Sequence, residues 1–226
     1  MRGTLLAFVG AVWALSGCGG PERAPSQPIG GVDRSHEDVN PHDVDGQTVN
    51  PTFLGTFVED VTKAVQGGPA MVAVFPALTF NQDQQIRMVN GLGEHLAEET
   101  ATRLADGGVK VLADSDLVNA VRGANLRLTN YGSEADAVAM AQQIKADYVV
   151  TGKADKKTFD IHHRDEALEI DWLCRRVADG GIVARWRAQM KTGPLANDLF
   201  RYYRMEGEWE SKIRQDRPAA PKPGEP

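Results

Sequence analysis

The sequence predicts a single α/β domain with a mixed sheet, in which strand–helix–strand units are followed by a C-terminal antiparallel β-hairpin. Three observations predict it. Residues 70–75 form a short unbroken apolar run, the pattern of a strand buried on both faces, and short apolar-rich strands recur at 109–112 and 148–152. Apolar residues at helical spacing separate these runs, as a parallel section requires. From 168 to 190 the period changes to two around Asp179-Gly180-Gly181, as in a hairpin with one buried and one wet face.

The elements follow in order. Asn50-Pro51 offers a helix cap and a first-turn proline. Leu54, Phe57, Val58, Val61 and Val65 then recur at helical spacing until Gly67-Gly68-Pro69 closes the helix. Ala70 to Phe75 forms the first strand. A long helix is expected next, with Ile86, Val89, Leu92, Leu96 and Leu104 on one face and Gly107-Gly108 at its end. Gly91-Leu92-Gly93 falls inside it as a kink or break. Val109 to Leu112 is the second strand, and Asp114 or Ser115 caps a short helix carrying Leu117, Val118 and Val121. Gly123 to Gly132 reads as a polar loop. Ser133-Glu134-Ala135-Asp136 is a capping box that opens a helix with Val138, Ala141 and Ile144 inward. Tyr148 to Gly152 is the third strand, and Lys153 to Glu166 a charged connection. In the hairpin, Leu168, Ile170, Trp172 and Cys174 alternate with Glu169, Asp171 and Arg175, and Ile182, Ala184, Trp186, Ala188 and Met190 with Arg185, Arg187 and Gln189. Residues 195–213 form a last helix, weakened at Gly207.

The ends are different in kind. Residues 1–17 combine Arg2, an apolar run from Thr4 to Leu15 and small residues before Cys18. The run is shorter than the ~20 residues a spanning helix needs, and it reads as a secretory signal peptide. Leu15-Ser16-Gly17-Cys18 resembles the bacterial lipobox, which implies that Cys18 is acylated and becomes the first residue of the mature chain. Residues 18–50 are the lipidated N-terminus and a disordered tether, too poor in large apolar groups to offset ordering entropy. Such a coil reaches roughly 30 Å on average. Residues 51–213 make the domain, and 214–226 a Pro-rich disordered tail.

Composition narrows the function. The formal charge is −6, and loss of Arg2 makes the mature chain one unit more negative. No basic stripe is present, which argues against nucleic acid and against electrostatic docking on an anionic bilayer, leaving the lipid as the membrane anchor. The two cysteines, Cys18 and Cys174, form no disulfide framework if the first is acylated. Cys174 reads as a small buried hydrophobe.

No catalytic constellation emerges. Gly-x-Ser-x-Gly, Cys-x-x-Cys, His-Glu-x-x-His and a phosphate-binding loop after a strand are all missing. His36, Glu37, Asp38, His42, Asp43 and Asp45 fall in the tether, where no geometry is fixed. His162-His163 fall in a connection, and neighbours in an extended segment point opposite ways. The expectation is therefore a non-enzyme with no metal, no cofactor and no small-molecule substrate. Surface is what the loop offers instead. Arg127, Asn130 and Tyr131, with Glu134 at the following helix start, read either as interface anchors or as residues that serve the loop itself.

Several stretches resemble the outer-membrane lipoproteins of the LpoB type, which activate class A penicillin-binding proteins. The likeness runs from about Phe53 to Met190. Thr102 to Leu112 is similar to that family's helix, glycine turn and strand. Asp116 to Leu128 is similar to its next helix and loop, and Ala137-Val138, Gln142-Gln143-Ile144 and Ala146 to Val150 to the helix and strand after it. Gly180 to Trp186 resembles its hairpin, although Gly181 stands where the family often has an acidic residue. Residues 193–226 extend beyond the family's usual end. The framework also resembles curli-secretion (CsgG-type) and flagellar (FlgO-type) lipoproteins. The resemblance implies a lipid-anchored protein on the periplasmic side of the outer membrane. It implies a class A penicillin-binding protein as partner, activated allosterically in peptidoglycan synthesis. The alternative it leaves is a non-catalytic subunit of an envelope assembly.

Overall fold

The structure, a computed structural model, describes residues 32–34, 54–82, 84–160, 165–191 and 194–217. The α/β prediction holds: one mixed sheet carries helices on both faces of its parallel section. In the middle of the parallel section is β2 (Met71–Val74), flanked by β5 (Lys110–Leu112), which is the sheet's edge, and by β6 (Tyr148–Asp160). Beyond β6 come β7 (Asp165–Arg176) and β8 (Ile182–Met190), each antiparallel to its neighbour.

The unbroken apolar run of β2 has a direct cause. Val72 and Val74 enter the core layer beneath α1 (Gly55–Val65) and α2 (Gly91–Asp106). Ala73 and Phe75 enter the opposite layer, beneath α3 (Asp114–Gly123) and α4 (Glu134–Gln143). Strands covered on both sides lose the alternation that a half-wet strand keeps. The hairpin keeps it. Leu168, Ile170, Trp172, Cys174, Ala184 and Trp186 all fall in the first layer, and the Trp172 indole N–H donates to Thr100 Oγ1 at 3.0 Å. On the wet face Arg185 Nε donates to Asp171 Oδ1 at 2.7 Å, and Gln189 Nε2 to Glu169 Oε1 at 3.1 Å. Cys174 is buried as a free thiol.

Several expectations need correction. Ile86 and Val89 are not helical. Residues 78–89 form a hairpin, β3 (Leu78–Asn81) with β4 (Ile86–Val89), in register Leu78↔Val89 to Asn81↔Ile86. The helix starts at Gly91 because Asn90 caps it, its Oδ1 accepting Gly93 N–H at 3.1 Å. Gly91-Leu92-Gly93 is thus a helix start rather than a kink. The charged connection is mostly strand, since β6 runs to Asp160 and pairs with β7 as far as Asp160↔Asp165. Cross-strand pairs Lys156–Glu166 and Lys157–Glu169 replace apolar alternation there. Neither Asp114 nor Ser115 caps α3: Ala113 holds the cap position, without a side-chain bond.

The last helix is two, α5 (Pro194–Tyr203) and α6 (Glu208–Asp216), divided at Gly207. Asp216 is part of the fold: its carboxylate accepts Arg122 Nε–H and Leu128 N–H, each at 3.0 Å. The folded part therefore runs past residue 213. At the other end α1 begins at Gly55, after Leu54 in a left-handed conformation. The expected cap, Asn50-Pro51, lies outside the described residues, as do Cys18, the leader, the tether histidines, His162 and His163. Within the segment read as tether, Val32–Arg34 forms β1, parallel to β8 at Ala184–Trp186.

Candidate functional site

The loop between α3 and α4 is organised by residues at both of its ends. A single turn of 3-10 helix at Leu128–Asn130 places the buried Leu128 side chain under α6. At the far end Ser133 caps α4, its Oγ accepting Asp136 N–H at 3.2 Å while Asp136 Oδ2 accepts Gly132 N–H at 3.1 Å. That is the reciprocal pairing of a capping box moved by one residue, as Ser133-Glu134-Ala135-Asp136 announced.

The four residues singled out from the sequence do not form one patch. Arg127 and Asn130 are exposed on the outside of the loop. Tyr131 is instead a core residue, 4% exposed. Its ring lies 5.3 Å from that of Phe75 and meets Trp209 edge-on at 6.2 Å. Its hydroxyl donates to the Pro76 carbonyl and lies 3.0 Å from Thr151 Oγ1. Burial pushes the phenol's pKa well above its ordinary value, with the Thr151 hydrogen bond opposing and the Glu134 and Asp136 charges adding to the rise. A neutral phenol locked between a strand and the β2–β3 turn is a structural bolt. Glu134 turns inward over the sheet, 3.3 Å from Arg175 and 3.7 Å from Lys153.

The sequence predicted a single last helix over 195–213; the structure builds two helices there and shows what they hold. Asn90 Nδ2 donates to the Tyr203 carbonyl at 3.1 Å, and Gly91 N–H to the Met205 carbonyl at 3.1 Å. Tyr202 stacks on His95 at 3.9 Å and 5°. Burial lowers the His95 pKa, while the Glu99 and Glu98 charges work to raise it. Leu199, Phe200 and Trp209 are buried, so residues 194–217 belong to the domain. The apolar spacing of Leu199, Tyr202, Tyr203, Trp209 and Ile213 is what predicted a helix here.

Chemically the described surface is ionic and hydrogen-bonding. Burial pulls the Asp171 carboxyl up, but hydrogen bonds and charge from Arg185, joined by Arg187, outweigh it and hold the group below its ordinary range. Burial pushes the Cys174 thiol far up, away from nucleophilic chemistry. Among the described residues no three His, Cys, Asp or Glu side chains are grouped to hold a metal, and no helix is long and apolar enough to cross a membrane.

The class these observations define is a mixed-sheet α/β domain whose C-terminal helices close over a strand-edge hairpin. No family model matches the chain, and no curated protein does. Solved structures give distant likenesses. The LpoB C-terminal domain from Salmonella enterica is 16% identical over 62% of this chain and 96% of its own, with a TM-score of 0.43. The NMR structure of Escherichia coli LpoB is 16% identical over 84% and 95%, with a TM-score of 0.39. The lipoprotein GNA1162 from Neisseria meningitidis is 16% identical over 56% and 84%, with a TM-score of 0.38. At these values they fix neither a partner nor a role for this chain.

Proposed function

We propose that this chain is an outer-membrane lipoprotein whose periplasmic domain binds a class A penicillin-binding protein and activates it allosterically in peptidoglycan synthesis. The observation that carries the reading is Leu15-Ser16-Gly17-Cys18, placed after a charged start and a short apolar run. Acylation of Cys18 anchors the chain in the outer membrane from the periplasmic side, and the residues after it supply reach toward the cell wall. The family resemblance adds the partner. The stretches that carry it fall on consecutive elements: α2 and β5, then α3 and its loop, then α4 and β6. Arg127 and Asn130, exposed on the loop, are the proposed contacts, and Glu134 ties the start of α4 to Arg175 and Lys153. Activation of this kind requires only that the domain bind the synthase's active arrangement more tightly than its inactive one.

The test is capture from envelope extracts on immobilised residues 19–226, with the bound proteins identified by mass. Recovery of a class A penicillin-binding protein, with faster glycan polymerisation on adding the domain, is the expected result. Recovery of flagellar or secretion components, or of a large ring of the chain itself, overturns the reading in favour of an envelope-assembly subunit.

A further inference from the structure

Among the described residues β4 pairs only with β3, so its outer edge carries backbone N–H and C=O groups with no strand beside them. Natural sheets blunt such edges, because an open edge is a template for another strand. Here a helix stands alongside instead. A groove of about 570 Å³ runs between β4 and α6, with Ile86, Met88 and Ile213 among its apolar lining and Arg87, Arg214 and Arg217 among its polar lining. Ile86 is 50% exposed at the mouth. No carboxylate lines the groove among the described residues, although the chain as a whole carries a formal charge of −6.

From these features we infer that the groove takes an extended, acidic–apolar segment of a partner protein, added as a strand to the free edge of β4. A strand edge facing a helix across an apolar channel is the geometry by which domains capture peptides through main-chain hydrogen bonds. Alternate side chains of the incoming strand point to opposite faces, so one set lies beside Ile86 and Met88 while the other, carrying the carboxylates, lies on the Val89 face, where Ile213 of α6 also packs. Arg87 is already held: its two terminal nitrogens each donate to Asp155 at 3.0 Å, which braces β4 against β6. Arg217, at the C-cap of α6 and exposed, is the arginine placed to meet an incoming carboxylate. Charge complementarity of this sort sets which partner binds and how fast more than how tightly. The inference concerns the groove alone and stands apart from the identity of the partner proposed above.

The test uses the full chain in neutral detergent and three labelled peptides: one alternating valine with glutamate, one alternating valine with lysine, and the glutamate peptide broken by prolines. Fluorescence anisotropy reads binding, and amide exchange reads where. The glutamate peptide is expected to bind about tenfold more tightly than the lysine peptide, and the proline peptide to lose binding because it lacks the ladder donors. New protection is expected at Ile86–Val89. Arg217→Glu, with an unchanged melting temperature, is expected to abolish the preference for glutamate over lysine. Equal binding of the two charged peptides, no binding of the glutamate peptide, or protection at β5 instead of β4 overturns the inference. These outcomes are independent of whether a penicillin-binding protein is captured.

Discussion

Glu94 of α2 caps the N-terminus of α6 from across the molecule: its carboxylate accepts the backbone N–H of Glu208 at 3.0 Å and that of Trp209. Gly207, the cap residue of α6, has no side chain to do this. The carboxylate also sits against the positive end of the α6 dipole. Glu94→Ala is expected to cost about 1–2 kcal/mol, because two helix-start donors lose their acceptor. Glu94→Gln retains an acceptor oxygen without the charge and is expected to cost less. Urea unfolding measures the loss, and amide exchange in 208–216 locates it. Unchanged stability together with unchanged α6 exchange sinks the cap.

Gly93 gives a sharper contrast. A Cβ there would stand 2.1 Å from the Ala77 carbonyl oxygen, which already accepts no slack because Ala77 N–H donates to the Gly93 carbonyl at 3.1 Å. Gly93→Ala is expected to push α2 off the β2–β3 turn and cost upwards of about 2 kcal/mol. At Gly123, the last residue of α3, nothing lies within 4 Å of a Cβ. Gly123→Ala is expected to stabilise by about 0.5–1 kcal/mol through the unfolded chain. Thermal melts of the pair decide it: a loss at both positions means the close approach is not what separates them.

How much of this was legible in the sequence depends on whether its cause was local. β2, β6 and the β7–β8 hairpin were readable because burial on two faces or one writes itself into period and composition. The β3–β4 hairpin was not, since Ile86 and Val89 extend the spacing of Leu92 and Leu96 backwards and imitate a longer helix. The correcting signal was Asn90-Gly91, a cap followed by a residue that tolerates close approach. The second half of β6 was hidden because Lys153, Asp155 and Lys157 are matched by charged partners rather than by an apolar face. In the loop, the exposure of Arg127 and Asn130 follows from local polarity. The burial of Tyr131 does not, because Phe75 and Trp209 reach it from distant segments.

The Tyr131 hydroxyl bridges the Pro76 carbonyl and Thr151 Oγ1 inside the second core layer. Tyr131→Phe keeps the ring contacts with Phe75 and Trp209 but strands both partners. The expected cost is about 1–3 kcal/mol, the penalty for buried polar groups left unpaired. Thr151→Val in the same background removes one stranded group, so the double variant is expected to lose less than the two single losses added together. Strict additivity in denaturant unfolding contradicts the shared bond.

Two groups make stability depend on pH in the same direction. Burial holds the His95 pKa below its ordinary value, so between the folded and unfolded values the unfolded chain binds more protons. Stability from this site is complete above about pH 6.5 and is lost as pH falls through the folded value. Asp171 behaves likewise at lower pH. Its folded pKa is depressed, and its contribution, present above about pH 4, is lost as pH falls further. His95→Phe is expected to flatten the dependence of unfolding free energy between about pH 7 and 5, and Asp171→Asn to flatten it only below. An unchanged slope in the first variant assigns that window to another group.

Cys174 tests the hairpin's inner face. It sits fully buried opposite Val150 on β6 and Ala184 on β8, and burial pushes its thiol far from ionisation. Only the thiolate reacts with disulfide reagents, so labelling requires an opening that exposes the strand. In a Cys18→Ala chain, where Cys174 is the single remaining thiol, reaction is expected to be absent in native buffer and complete in denaturant. At intermediate denaturant its rate is expected to follow the globally unfolded fraction, because a central strand opens only with the whole domain. Cys174→Ser would place a hydroxyl among Val150, Ala184 and their neighbours and is expected to cost about 1–3 kcal/mol, whereas Cys174→Ala leaves a smaller loss set by the vacated volume. Ready labelling of the native chain would mean that β7 is open at that point and that the first core layer is not closed over it.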